Sequence, residues 1–466
     1  MSSKLPLILV TLALVAGCLN MSGPNGPAAP VAGNATDPFA PFTPPVPDFD
    51  FGTVVDPDHG AHNVPDLHTG GHGLALVGHA GIQDLLPPGM QGSITQIDLW
   101  QNYAVVSGMD GELGFAIVDL TDPAAPKALS YFPSVADDWT ARFSDDGNYV
   151  FLGCQILTGF SAYGAVKGDC ENPDSVHAPG AARAGVTVVD VSDKANPKLV
   201  TFTATGGSHN LQVANINGTD YVFTSAVTIL KFDRDELTLT EVAAVPGRHD
   251  ATVAKHPVTG DWLLYTGTEE LAIWNVNNPA DPQAVFEGGV EGVVGWHEQT
   301  VIPGLIEGRY LIALAGESFA GAAGVPDEVS FVDITDPANP VPLGTWAPPF
   351  AANTKVPWVS YLYSAHEIAA TPQGQVAISW YHGGVWVVDV STLERAKAPV
   401  TLAAYLPNKL MNVQPSTFAQ TPMPVVPFVW GAGWDHRGYL VIPDMHTGVY
   451  VLEPEWGLRP ALDSGQ

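Results

Sequence analysis

The chain carries little charge, and few of its charges are positive. Of 466 residues, 14% are charged, and 48 acidic side chains stand against 18 basic ones, for a formal net charge of −30. This balance argues against binding nucleic acid or an anionic membrane through a basic patch. It is typical of a strongly hydrated surface in salty surroundings or of a surface that attracts cations, and both interpretations stay open.

Common catalytic motifs are also missing. The sequence contains no G-x-S-x-G nucleophile elbow, no P-loop and no H-E-x-x-H motif, which argues against the enzyme classes built on them. A transmembrane helix is not evident at the N-terminus either. The apolar run LPLILVTLALVA at residues 5–16 is too short for a comfortable membrane span and has the length of a signal-peptide core.

This apolar run ends in VAGC, and small residues before Cys18 resemble the lipobox of prokaryotic lipoproteins. The resemblance implies that residues 1–18 are a lipoprotein signal peptide and that Cys18 is lipidated. A lipid-anchored protein on the extracytoplasmic cell surface is therefore expected, with an ordinary signal peptide as the alternative. Residues 19–58 are rich in Pro, Gly and Ala and are predicted to form a flexible tether.

Cysteine is scarce, with three in the whole chain. Outside the cytoplasm, a disulfide between Cys154 and Cys170 is more plausible than two free thiols. A cysteine-ligated metal would need more sulfur or a nearby histidine.

Glycine and proline are abundant instead, at 48 and 41 residues, which predicts many short strands joined by turns. One apolar motif ending in Asp or Asn recurs along the chain, and the acidic or amide side chain can cap the turn that follows. Its clear copies are FAIVDLTDPAAP from Phe115, VTVVDVSDKANP from Val186, LAIWNVNNPADP from Leu271, VSFVDITDPANP from Val329 and VWVVDVSTLERAKAP from Val385. Looser copies are TILKFD from Thr228 and VYVLEP from Val449.

Seven such units of four strands have the period of propeller blades. The last unit lacks its fourth strand, and GLALVGHAG from Gly73 can supply it and close the ring. The sequence therefore predicts an all-β fold, a seven-bladed β-propeller over residues 59–457 whose last blade is closed by an N-terminal strand. Residues 458–466 are left as a C-terminal tail.

The stretches FAIVDLTDP, VTVVDVSDK, VSFVDITDP and VWVVDVS resemble the LVIVD repeat, a motif of prokaryotic surface propeller proteins. The resemblance covers most of the chain after the tether. It implies the propeller fold and says little about function.

Four histidines recur at one position, the start of four consecutive innermost strands, each followed by Asn, Asp or Glu. They are His209, His249, His297 and His366, and the other three blades offer Ser93, Trp139 and Trp430. Loops on the same face add His382, His446, Glu269, Glu270 and Glu317. These side chains are predicted to converge on one mouth of the propeller axis.

Two interpretations of this mouth compete. The histidines can be hydrogen-bond donors to neighbouring blades, a role that would be expected in all seven. Alternatively they bind a transition metal, copper or zinc, with Asp250, Glu298 and Glu367 as orienting carboxylates. Strand alternation puts each histidine and its following acid on opposite sides, and the inward one is left undecided.

A second histidine group precedes the closing strand. It comprises His59, His62, His68, His72 and His79. Its spacing matches no closed tetrahedral metal site, so a surface segment is the simpler interpretation. If the segment folds over the mouth, His62 or His68 would join the site.

Two functions follow from these observations. The first is a metal-dependent enzyme, most plausibly an oxidoreductase, because the histidine-rich mouth is loosely similar to the selenium-binding, methanethiol-oxidase type of copper propeller. The second is a non-catalytic surface scaffold for a protein, a glycan or another ligand. Either way, the expected protein is a monomer anchored to the membrane by lipid, with no nucleic-acid partner.

Overall fold

A computed structural model of the chain describes residues 40–51, 70–88, 92–109, 113–134, 137–155, 184–205, 208–225, 227–267, 270–293, 297–317, 328–349, 364–407, 417–418, 421–422 and 427–456. The chain divides into two units, Met1–Asn34 and Ala35–Gln466, and every described residue belongs to the second. Cys18 and Cys170 lie outside the described residues. Cys154 is disulfide-bonded.

Seven antiparallel sheets form the predicted seven-bladed β-propeller. In blades 1 to 6 the first four strands follow one another in chain order from the axis outward. The strands of blade 1 are Ser93–Trp100, Tyr103–Met109, Leu113–Asp119 and Lys127–Pro133. Those of blade 2 are Asp137–Phe143, Tyr149–Gln155, Gly185–Asp190 and Lys198–Ala204. Those of blade 3 are Leu211–Ile216, Thr219–Thr224, Thr228–Asp233 and Thr238–Ala244. Those of blade 4 are Arg248–Lys255, Trp262–Gly267, Leu271–Asn275 and Gln283–Gly288.

The remaining blades are less regular. The strands of blade 5 are Glu298–Ile306, Arg309–Ala315, Val329–Asp333 and Val341–Trp346. Blade 6 has five, Ile368–Ala370, Gln375–Ser379, Val385–Asp389, Val400–Leu406 and, on its outer edge, Gly70–His72. Those of blade 7 are Gly433–Trp434, Leu440–Asp444, Gly448–Pro454 and the outer strand Leu74–Gly81. A short hairpin, Thr417–Phe418 with Thr421–Pro422, lies outside the blades.

The ring closes as the sequence predicts. Leu74–Gly81 pairs antiparallel with Gly448–Pro454 and completes blade 7. First strands of neighbouring blades contact one another all the way round, including blade 7 with blade 1. Closure gives every blade a neighbour on both faces, so blades 7 and 1 cover each other's apolar side chains.

The core lies between the blades. Seven hydrophobic clusters each combine residues of two adjacent blades, one cluster per interface. Because the second and third strands are covered on both faces, they are continuously apolar, and all of Val385–Asp389 is buried. Outer strands such as Lys198–Ala204 are largely exposed or half-buried and carry more polar residues.

The turns after the third strands repeat from blade to blade. The predicted Asp or Asn cap accepts a hydrogen bond from the backbone N–H two residues on in blades 1 to 6. For example, Asp119 Oδ1 accepts from Thr121 N at 2.9 Å. The predicted cap role is confirmed in these six blades.

Part of the segment predicted as a tether lies on blade 6. Phe51 is buried and packs near Trp386, with 6.2 Å between ring centroids. Arg395 donates to the Pro44 carbonyl at 2.8 Å, and Ser391 donates to Thr43 at 3.1 Å. The packed part of the chain thus begins before residue 59, the predicted boundary.

Helix is almost absent from the described chain. The two helices are Ile82–Leu85 and Leu393–Lys397. The part of the chain that the structure describes holds no helix long and apolar enough to cross a membrane.

Candidate functional site

The four predicted histidines form a continuous arc at one mouth of the propeller. Ring centroids lie 4.4 Å apart between His209 and His249, 4.0 Å between His249 and His297, and 4.7 Å between His297 and His366. Trp430 of blade 7 extends the arc, 4.4 Å from His366. The arc forms because each residue stands at the start of an innermost strand, where neighbouring blades meet at the axis.

His297 is the centre of the arc. It is buried, with its Nδ1 3.5 Å from Asp250 Oδ2 and its Nε2 3.2 Å from Glu317 Oε2. Neither contact has hydrogen-bond alignment, so both ring nitrogens and Asp250 Oδ2 lack a hydrogen-bond partner among the described residues. Buried polar atoms are rarely left in this state.

Electrostatics make His297 unlike His209 and His366. Burial lowers its pKa, but the negative charges of Asp250 and Glu317 outweigh burial and raise the pKa to about 9. The positive charge of His297 in turn holds the pKa of Glu317 at about 2 against the effect of burial. In the absence of a bound cation, His297 is therefore a protonated link between two carboxylates.

His209 and His366 are neutral and oriented. Burial, with nearby positive rings adding to it, lowers the pKa of each to about 3. Since the neutral ring must donate to an oxygen acceptor, His209 Nδ1 donates to Gln155 Oε1 at 2.7 Å, and His366 Nδ1 donates to the Trp430 carbonyl at 2.8 Å. In both tautomers the lone pair of the ring is then on Nε2. An imidazole held this way by an oxygen acceptor is the usual state of a metal-binding histidine.

The backbone is irregular where it directs side chains into the mouth. A register shift interrupts the pairing between Arg248 and Ala251, and His249 has a φ of 63°. This bulge turns both His249 and Asp250 towards the site, which answers for blade 4 the inward-or-outward question that strand alternation left open.

Tyr381 is a site residue that the sequence pattern did not single out. Its φ of 45° lies in a tight turn in which Gly383 N donates to the Trp380 carbonyl at 2.7 Å. Its hydroxyl donates to Glu317 Oε1, and its ring lies 4.8 Å from that of His366. Its neighbour His382 had been predicted instead. In the sequence WYHGG, nothing distinguishes Tyr381 from the neighbouring histidine as a site residue.

His382 and His446 do not join the arc. Both are buried against Phe428, with ring centroids 4.6 Å and 5.5 Å from it. Neither belongs to a group of three potential ligand atoms within 4.8 Å among the described residues. The left-handed turn at Tyr381 directs the loop of His382 away from the arc. In the other loop, Asp444 Oδ1 accepts a hydrogen bond from His446 N at 3.1 Å and fixes the backbone there.

Two groups in the arc have the composition of a metal site. The potential ligand atoms of His297, Glu317 and His366 lie within 4.8 Å of one another, and so do those of His249, Asp250 and His297. A third group, Asp250, Glu298 and Glu367, contains carboxylates only. Glu269 lies outside the described residues.

The other histidine group is structural where it is described. His72 stacks on Phe49 with 3.6 Å between ring centroids, and His79 Nε2 lies 2.8 Å from the Thr447 carbonyl. His59, His62 and His68 lie outside the described residues. The opposite mouth of the axis holds a cavity of about 310 Å³ lined by Asp98, Arg142, Gln212, Trp434 and His436, among others.

Comparison with known proteins supports the repeat recognised in the sequence. Residues 181–205, which contain the third and fourth strands of blade 2, match the LVIVD repeat. No curated protein matches the chain.

Among solved structures the chain is similar to other proteins at 10–11% identity. One is Sqt1 from Saccharomyces cerevisiae, with 77% of this chain and 82% of that chain covered and a TM-score of 0.46. Another is the β-propeller domain of Cps50 (Swd1) from Myceliophteria thermophila, with 80% and 99% covered and a TM-score of 0.49. A third is U3-55K, with 81% and 98% covered and a TM-score of 0.47.

Proposed function

We propose that the mouth of this propeller binds one divalent transition metal ion through His297, His366 and Glu317. His249 and Asp250 approach His297 from its other side and complete the set of nearby donors, with His209 next in the arc. The observation that carries the proposal is the pair of buried nitrogens of His297, which have no hydrogen-bond partner among the described residues.

The spacing of the donors suits a single ion. Two ligands bound to one zinc ion at about 2.0–2.2 Å lie at most about 4.4 Å apart. Three ligands in tetrahedral positions around one ion at these bond lengths lie about 3.3–3.6 Å apart. The donor atoms of His297, Glu317 and His366 lie within 4.8 Å of one another, so side-chain shifts of at most about 1 Å bring them to one ion.

Charge also favours a divalent cation. With His209 and His366 neutral and His297 deprotonated on binding, Asp250 and Glu317 contribute two negative charges to the mouth. A divalent ion balances them and replaces the proton that His297 otherwise holds.

The donor types narrow the choice of ion. Imidazole and carboxylate without sulfur are ligands of zinc, copper, iron and nickel, and of these we propose zinc or copper. Hydrogen bonds to Nδ1 of His366 and to Glu317 fix the orientation of two of the three ligands.

A metal-dependent oxidoreductase is the catalytic form of this proposal. Three protein ligands leave a coordination position open for water or substrate, as in catalytic rather than structural metal sites. The proposal places this site on a lipid-anchored protein outside the cytoplasm, as the N-terminal sequence predicts.

A non-catalytic scaffold is the second candidate, and one observation favours it. Protonated His297 between Asp250 and Glu317 is a self-sufficient ion-paired cluster that needs no metal. In that case the ion-paired cluster stabilises the closed ring of blades, and a protein or glycan ligand binds elsewhere on the propeller faces.

Metal titration of the purified protein distinguishes the candidates. After treatment with a chelator, the wild type is expected to bind one zinc or copper ion tightly in isothermal titration calorimetry, and His366→Ala is expected to lose that binding. His436→Ala, which removes a half-buried histidine at the opposite mouth, is the matched control and should bind normally. No tight binding by the wild type with either ion would overturn the metal proposal and leave the scaffold.

A further inference from the structure

Three carboxylates meet on the axis beside the histidine arc. Asp250, Glu298 and Glu367 come from blades 4, 5 and 6, and each follows one of the arc histidines in sequence. All three are buried, with 2%, 4% and 6% of their surface exposed, and their potential ligand oxygens lie within 4.8 Å of one another.

Protonated His297 pairs with one member of this cluster, Asp250, at 3.5 Å. In the described part of the chain, no lysine or arginine forms an ion pair with Glu298 or Glu367, and Arg142 is instead paired with Asp98 at 3.7 Å. Asp250 Oδ2, a buried oxygen of the cluster, has no hydrogen-bond partner among the described residues. One imidazolium does not balance three carboxylates, so holding them this close also requires added protons or a bound cation.

An uncharged side chain from across the axis also points at the cluster. Gln96 of blade 1 is 3% exposed, and its Nε2 donates to Glu367 Oε1. Its own amide oxygen is buried and has no hydrogen-bond partner among the described residues. A rotation of the Gln96 amide group by 180° exchanges its nitrogen and its oxygen. In that orientation Gln96 can present the oxygen to a cation bound by Glu367.

From this arrangement we infer a second cation site, formed by Asp250, Glu298, Glu367 and Gln96, that takes a calcium ion. The donors are all oxygens, which hard cations prefer and soft transition metals do not. Three oxygens bound to one calcium ion at about 2.3–2.6 Å lie up to about 4.5 Å apart, close to the 4.8 Å within which the cluster's oxygens lie. Magnesium, with shorter bonds of about 2.0–2.1 Å, would require the cluster to contract.

The calcium site would join blades 1, 4, 5 and 6 across the axis. It shares Asp250 with the histidine arc but does not depend on a metal at His297. Bound calcium replaces repulsion among the carboxylates with attraction, so calcium is expected to stabilise the closed ring.

Calcium titration of the purified, chelator-treated protein tests this inference. The wild type is expected to bind one calcium ion in isothermal titration calorimetry, and its thermal unfolding midpoint is expected to rise with calcium. Glu298→Gln keeps the shape of the side chain, removes one charge and should weaken calcium binding at least about tenfold. Glu367→Gln is a second variant with the same expected loss, in case Glu298→Gln fails to fold.

The matched control lies in the other site. Glu317→Gln removes a carboxylate from the histidine arc and should leave calcium binding unchanged while zinc binding falls. Loss of zinc without loss of calcium in Glu317→Gln, and the reverse in Glu298→Gln, separates the two sites. Absence of calcium binding by the wild type would overturn the inference. So would weak calcium binding that both glutamine variants at the cluster retain, because such binding belongs to the acidic surface.

Discussion

The turns after the third strands and the starts of the first strands differ in how regularly they repeat. In blades 1 to 6 the turns use the same device, an Asp or Asn that caps the backbone two residues on. The starts of the first strands repeat histidine in only four adjacent blades. Where histidine stops, Trp430 takes its place in blade 7 and Ser93 in blade 1, where its hydroxyl donates to the Met109 carbonyl.

This difference separates features that build the fold from features that build the site. A blade that lacks a turn cap loses part of its own stability, so the cap is needed in blade after blade. A histidine that binds an ion on one side of the axis is needed only in the blades that face that ion. Substitutions at the mouth are therefore expected to affect ion binding, and substitutions at the turn caps are expected to affect stability.

The largest effect on binding is expected from His297→Ala. Both candidate transition-metal groups share His297, so its loss removes a ligand from each, and zinc affinity should fall by about 100-fold or more. A zinc titration followed by calorimetry measures this fall, with His436→Ala as the control. Equal zinc affinity in His297→Ala and the wild type would contradict the role given to the arc.

The largest effect on stability is expected from Asp389→Ala in blade 6. The Asp389 side chain is fully buried, accepts from Ser391 N and pairs with Arg395. Its removal leaves Arg395 without its partner and should lower the free energy of unfolding by about 2–4 kcal/mol. Denaturant unfolding measures the change. Zinc affinity should stay at the wild-type value, and a loss of zinc binding by a folded Asp389→Ala protein would show that the turn caps also support the metal site.

Tyr381→Phe should have an intermediate effect, confined to binding. The substitution removes the hydroxyl that donates to Glu317 and leaves the ring against His366. Loss of an orienting hydrogen bond to a ligand is expected to weaken zinc binding about tenfold. Tyr131→Phe is the matched control, because it removes a hydroxyl that donates to the Asp84 carbonyl far from the mouth. Similar zinc affinities in the two variants would show that the Tyr381 hydroxyl does not support the ligand.

The smallest effect is expected from Asp119→Ala, a partly exposed cap in blade 1. The loss should be about 1 kcal/mol at neutral pH. Although partial burial opposes it, hydrogen bonds from Thr121 hold the pKa of Asp119 below its ordinary value of 3.8. The carboxylate therefore adds stability above pH 3.8, and this contribution disappears as the pH falls through the lowered pKa. Acid unfolding curves should accordingly converge for the variant and the wild type at low pH; a difference that persists there would point to another cause.

The propeller could be predicted from the sequence because each repeat contains the same apolar strand followed by an Asp or Asn that caps the next turn. Closure by Leu74–Gly81 was also predictable, since the last unit lacked one strand. The outer strand Gly70–His72 and the packing of Phe51 were not, because a Pro-rich segment carries no apolar period that would reveal which blade it covers.

The convergence of four histidines followed from aligning the blades, but the directions of individual side chains did not. His249 and Asp250 both face the site because of a β-bulge in their strand, and no residue of that strand predicts the bulge from the sequence. The left-handed turn at Tyr381 sends that side chain, rather than His382, towards Glu317. Local backbone irregularities of this kind depend on tertiary contacts and are invisible to strand alternation.

Anomalous diffraction from crystals of the purified protein grown with zinc would show directly whether the histidine arc binds a metal ion. We expect a peak at the zinc edge bonded to His297, His366 and Glu317 at about 2.0–2.2 Å. A map with no peak at the mouth, and with His297 still held between Asp250 and Glu317, would contradict this expectation.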